Sequence, residues 1–165
     1  MERTLGIVNV ALEGRTEIIR IQETNLGNFF CDIILCGTVA ECALLNSGCF
    51  RSDRIHAEGE FKLKDLQDIL SFDNQLCIVC VTGKQLHQVL ENGVAKYGEG
   101  GGRFPQVSAI TFAFNPSKQP LKRIDYKSIK VAGEDLDLDR TYALVTNNFM
   151  KSVDETLKKC PLMVK

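Results

Sequence analysis

Two stretches of this chain set a helix period beside a strand period, and that pairing constrains the fold more than any other feature. Leu26, Phe29, Phe30, Ile33 and Ile34 recur at i, i+3, i+4, i+7 and i+8, the spacing of one apolar helix face. Thr24 stands before them as a cap, and Gly37 after them as a stop. Residues 40–46, Ala-Glu-Cys-Ala-Leu-Leu-Asn, follow as a short apolar run suited to a buried strand. The second stretch reverses the order. Residues 75–82, Gln-Leu-Cys-Ile-Val-Cys-Val-Thr, are a strongly β-type run. Gly83 then opens a helix carrying Leu86, Val89, Leu90 and Val94.

The remaining segments fill in around these. Residues 4–11 are an extended entry segment, punctuated by Gly14, and residues 16–21 alternate as a strand. Residues 62–70 carry Leu63, Leu66, Ile69 and Leu70 at helical spacing. Residues 106–114 alternate as one strand with Ile110, Phe112 and Phe114 on one face, closed by the turn signal Asn115-Pro116-Ser117-Lys118. Residues 123–131 and 141–147 are two more strands around a Gly133-Glu134-Asp135 turn, and the tail from about residue 150 is helical. The run Gly98-Glu99-Gly100-Gly101-Gly102 has a helix before it and a strand after it. A phosphate-cradling loop needs the opposite order, so this run is a connector. Strands occur in pairs as well as between helices. The expected class is α/β (α+β) with a mixed sheet, not a doubly wound parallel sheet.

Charge and cysteine narrow the chemistry. With 20 basic and 21 acidic residues, the net charge of −1 argues against a nucleic-acid coat or a membrane-surface domain. No run approaches the roughly 18 apolar residues of a membrane span. The opening Met1-Glu2-Arg3-Thr4 has no apolar run behind it, so no leader is expected. Seven cysteines, an odd number, sit mostly in apolar stretches as free thiols. No Asn-x-Ser/Thr acceptor occurs, because Asn115-Pro116-Ser117 is excluded by its proline. Both points favour the cytoplasm, with the compartment otherwise open. Cys77 and Cys80 have zinc-knuckle spacing, but no second ligand pair follows, and in a strand they face opposite sides. Only His56 and His87 are present, too few for a two-metal hydrolase site, so no metal site is expected in this chain.

Candidate chemistry gathers at one strand exit. The run ending at Asn46 delivers Ser47-Gly48-Cys49-Phe50-Arg51 to the loop at its carboxyl end, where ligands of α/β sheets sit. Asn46 offers both donor and acceptor, and Arg51 offers a rigid fork for phosphate. Arg20 lies four residues before Thr24, at the start of a helix whose N-terminus attracts anions. Each has a plainer reading as a surface ion-pair partner or turn residue. Phe72 follows a helix in polar, turn-like company, and Phe149 stands at a strand exit after Asn147-Asn148. Two such rings can sandwich a nucleobase, worth about 1–3 kcal/mol per stacked base. The alternative is that each caps an edge of the core.

Taken together, the segments form a recognisable series. Glu23-Thr24-Asn25-Leu26-Gly27-Asn28-Phe29-Phe30-Cys31-Asp32, Leu45-Asn46-Ser47-Gly48-Cys49-Phe50-Arg51, Leu70-Ser71-Phe72-Asp73-Asn74, Val81-Thr82-Gly83-Lys84-Gln85-Leu86, Phe104-Pro105-Gln106-Val107-Ser108 and Asn147-Asn148-Phe149 follow one another in order. The series resembles the C-terminal, substrate-binding domain of the 5′-nucleotidase family over roughly residues 5 to 155. The resemblance implies a layered α/β/β/α fold, with residues 1–14 as an entry segment and 15–165 as the recognition domain. It implies one half of a phosphohydrolase that splits nucleoside 5′-monophosphates, the catalytic metallophosphoesterase domain being missing from this chain. Two divalent metal ions of the zinc or manganese type would belong to that N-terminal partner domain. The substrate would be AMP-like, with no nucleic acid and no membrane span involved. Carried over, the family's phosphate-contacting arginines fall on Arg20 and Arg51 and its base- or sugar-contacting asparagine on Asn46. Its stacking phenylalanines fall on Phe72 and Phe149, and its ribose-binding aspartate on Asp154. No catalytic residue falls within the chain. Departures exist: Cys49-Phe50 replace Gly-Ile, and Ser152-Val153-Asp154-Glu155-Thr156 lacks the family's glycines. They leave two rivals, a binding or interaction module without catalysis and a hydrolase of another phosphate ester such as a nucleotide sugar or cyclic nucleotide.

Overall fold

The computed structural model describes residues 3–163. Met1 and Glu2, where the expectation about a leader begins, lie outside the described residues, as do Val164 and Lys165 at the end of the tail. In chain order the elements are β1 (Thr4–Val8), β2 (Leu12–Glu13), α1 (Thr16–Ile19), α2 (Asn25–Cys36) and β3 (Cys42–Asn46). A 3-10 turn, Ser47–Cys49, leads to β4 (Ile55–His56), β5 (Gly59–Lys62), α3 (Leu63–Ile69), β6 (Leu76–Thr82) and α4 (Gly83–Val94). Then come β7 (Pro105–Ser108), β8 (Ile110–Thr111), a 3-10 turn at Tyr126–Ser128, β9 (Lys130–Val131), β10 (Glu134–Asp135), β11 (Thr141–Asn147), α5 (Asn148–Val153) and α6 (Glu155–Lys159).

A four-stranded mixed sheet in the order β6-β11-β3-β7 organises the molecule. Strands β11 and β3 run parallel, while β6 and β7 pair antiparallel on either side. The period of two divides its side chains between two cores. Cys42, Leu44, Val79, Val81, Tyr142 and Leu144 face α4, meeting Leu86, Val89, Leu90 and Val94. Ala43, Leu45 and Val145 face the other way, toward α2, and pack on Leu26, Phe30, Cys31 and Ile19. Each Leu or Phe buried in this way stabilises the fold by about 1.5–3 kcal/mol. Strands β8, β9 and β10 form a second sheet whose Ile110 and Val131 join the α4-side core. The entry segment is tied in as well, with β1 pairing β5 and β2 pairing β4. The expected mixed sheet with helices packed on it is thus the observed architecture.

Local chemistry explains the helix boundaries. Thr24 accepts from the Gly27 N–H and caps α2, and Gly37 ends it. Thr82 and Gln85 form a reciprocal capping box at the start of α4.

Three expectations need correction. Residues 16–21 are not a strand: α1 is a single helical turn, its Thr16 N–H donating to the Asp53 carboxylate at 2.8 Å, with Ile19 buried. One turn is too short for a helical period to show. Residues 106–114 are not one strand. Ala109 adopts φ +57°, and the chain there leaves β3 as β7 and joins β9 as β8. Residues 123–131 are strand only at β9. Asp125 instead caps the 3-10 turn by accepting from the Lys127 N–H.

Candidate functional site

Because β3 and β11 are parallel neighbours, their carboxyl ends open on the same side. Asn46 ends one strand and Asn147 ends the other. Asn147 donates from Nδ2 to Asn46 Oδ1 at 3.3 Å, and its own carbonyl oxygen Oδ1 caps α5 by accepting from the Met150 N–H at 2.7 Å. The chain reverses there into α5, and Phe149 stands on its first turn, 47% exposed. A cavity of about 860 Å³ opens at this edge. It is lined by all six side chains that the sequence singled out: Arg20, Asn46, Arg51, Phe72, Phe149 and Asp154.

Each is positioned by a different device. Arg20 follows α1 and donates from an Nη to the Gly100 carbonyl at 2.7 Å. The segment holding it is pinned by Gln106, which is fully buried in β7. Gln106 donates to the Ile19 carbonyl at 3.0 Å and the Gln22 carbonyl at 2.8 Å, and accepts from the Thr24 N–H at 3.0 Å. Gly27 is required beneath this amide: a Cβ there would lie 2.0 Å from Gln106 Oε1. The backbone of Arg51 donates to the Ile69 carbonyl at 2.8 Å, locking its loop to the end of α3. Its guanidinium lies 5.5 Å from the centre of the Phe72 ring, a cation–π contact. Phe72 is 55% exposed, so neither aromatic is sealed in the core.

Asn46 is buried and donates to the Gly102 carbonyl at 3.1 Å. Gly48 donates to the same carbonyl at 2.9 Å. A Cβ on Gly102 would meet the Gly48 Cα at 2.5 Å, so this approach needs glycine. The glycine run is therefore more than a connector. It docks on the β3 exit, forms a wall of the cavity and receives Arg20. Asp154 is buried and caps α6, accepting at Oδ1 from Thr156 N–H at 2.9 Å and Leu157 N–H at 3.1 Å. Its Oδ2 accepts from Asn92 at 3.0 Å. Cys49 also lines the cavity. Burial pushes its thiol up to about 12, so it is a small apolar contact and not a nucleophile.

Sequence reasoning missed four polar lining residues, Asn74, Asn92, Arg103 and Glu155. Asn74 stood within a recognised block, and Arg103 just before one. Asn92 gave no local signal, since its partner lies 62 positions away. Among the described residues, no group of three or more His, Cys, Asp or Glu side chains could hold a metal ion. No helix there is long and apolar enough to cross a membrane.

Comparison with known proteins gives a consistent picture. Residues 6–158 match the family described as "5'-nucleotidase, C-terminal domain". Trifunctional nucleotide phosphoesterase protein YfkN of Bacillus subtilis is 35% identical over 153 residues, covering 88% of this chain and 10% of that protein. Human 5'-nucleotidase is 26% identical over 163 residues, covering 88% of this chain and 28% of that protein. The crystal structure of a 5'-nucleotidase precursor from Thermus thermophilus superimposes with a TM-score of 0.91 at 31% identity, over 99% of this chain and 33% of that one. This chain therefore spans a third or less of the length of these relatives.

Proposed function

Since this chain belongs to the 5′-nucleotidase C-terminal domain family, we propose that it is the nucleotide-recognition part of a 5′-nucleotidase-like phosphomonoesterase. The observation that carries this reading is the convergence of two half-exposed phenylalanines and two arginines, from distant parts of the chain, on one cavity. The base lies between Phe72 and Phe149. Arg20 and Arg51 make charge-assisted bonds to phosphate oxygens, and Asp154 accepts from the sugar hydroxyls. Asn46 contacts base or sugar with whatever donor capacity its Gly102 bond leaves.

The described residues do not fit a divalent metal site, so no metal-dependent step is assigned to them. The metals, zinc or manganese in type, and the attack on phosphorus belong to a metallophosphoesterase domain that partners this one. What this chain contributes is orientation. Binding energy from the base, remote from phosphorus, holds the ester in its reactive pose. Its loss lowers turnover as well as affinity.

Titrating AMP into the chain while following the ring signals of Phe72 and Phe149 by NMR tests the assignment. Both rings should shift together and saturate. Silence at both rings, with shifts elsewhere, would contradict base stacking.

A further inference from the structure

We propose that Asn92, on α4, is the residue that sets sugar selectivity, by fixing the carboxylate of Asp154 from outside the loop that carries it. The inference rests on the reading above in which Asp154 faces the sugar. Asn92 lines the cavity, is half-buried, and donates from Nδ2 to Asp154 Oδ2 at 3.0 Å. Its Oδ1 accepts from Gln88 Nε2 at 3.1 Å, one helical turn away. The direction of this chain of bonds is forced. An ionised carboxylate only accepts, so the amide of Asn92 must turn its NH2 toward Asp154 and its oxygen toward Gln88. A reversed amide would set two oxygens against each other.

The consequence reaches the ligand. Two backbone N–H groups and the Asn92 amide together give Asp154 three donors. These hold the carboxylate immobile, with its remaining lone pairs available only to donors. A ribose brings two hydroxyl donors on adjacent carbons, and a 2′-deoxyribose brings one. A fixed acceptor-only group therefore favours the ribose. The segment around Asp154 has no glycines to bring backbone close to the sugar. The local backbone holds Oδ1, and α4, through Asn92, holds Oδ2. Asn92 is thus a positioning residue, acting through Asp154.

The experiment compares the affinity of the 165-residue chain for adenosine and 2′-deoxyadenosine, each followed by NMR titration. The unmodified chain should prefer adenosine by about tenfold, the worth of one hydrogen bond to a charged group. Asn92→Leu, which keeps the branching at Cγ but removes the donor, should bring the preference to within about twofold, with the Phe72 and Phe149 shifts kept. Asn92→His places a ring nitrogen where the amide nitrogen stood and should restore the preference. It also guards against Leu at this site simply unfolding the chain. An unchanged preference in Asn92→Leu, with both rings still responding, overturns the role of Asn92 and leaves the nucleotide reading standing. Failure of the unmodified chain to bind either nucleoside overturns the nucleotide reading itself and this inference with it.

Discussion

His56 shows how one side chain ties stability to pH. It is buried, with Nε2 2.9 Å from Ser52 Oγ and Nδ1 4.0 Å from Asp65 Oδ1. Burial, and next the charge of Arg54, hold its pKa below the usual 6.5. The unfolded chain thus takes up a proton that the folded chain refuses. The stability that neutral His56 contributes is full above about pH 6.5 and drains away as pH falls toward the lowered folded value. The melting temperature should drop as pH is taken from about 7 to 5, and His56→Gln should flatten that slope. Equal slopes for the two proteins would show that His56 is not the group responsible.

At the scale of elements, Gln106 joins three pieces: β7, the segment after α1, and the N-terminus of α2. Gln106→Leu keeps the volume but leaves two carbonyls and one N–H without their buried partner. The expected loss is about 3–5 kcal/mol in urea denaturation, with weaker nucleotide binding through displaced Arg20. A loss under about 1 kcal/mol would mean that the segment is held by other contacts. Elements with many periodic positions were legible in the sequence. Strands β3, β6 and β11 and helices α2 and α4 each bury a face long enough to leave a pattern. Helix α1 was not legible, because one turn fits an alternating pattern equally well. The break at Ala109 was not legible either, since alanine carries no signal for a left-handed backbone. The cavity was legible where recognised blocks named its residues. Asn92 and the glycine wall were not, because their partners lie far along the chain and only the fold brings them together.

For the whole molecule, the proposed division of labour makes a kinetic prediction. When the chain is joined to a metallophosphoesterase domain, Phe149→Ala should cut AMP hydrolysis about tenfold or more, from the stacking energy removed. Hydrolysis of a small phosphate ester without a base should change little. Equal losses on the two substrates would contradict a stacking role. The order of the central sheet carries a different consequence. Strand β11 lies between β6 and β3, yet it is the last of the four to be synthesised. Asn46 and Asn147, which meet at the cavity edge, are 101 positions apart. A nascent chain on the ribosome has already laid down Arg20, Asn46, Arg51 and Phe72 while the middle of its sheet is still empty. On the proposed reading, a premature stop before residue 141 should abolish ligand capture outright instead of weakening it, and nucleotide-affinity resin should retain finished chains while letting truncated ones pass.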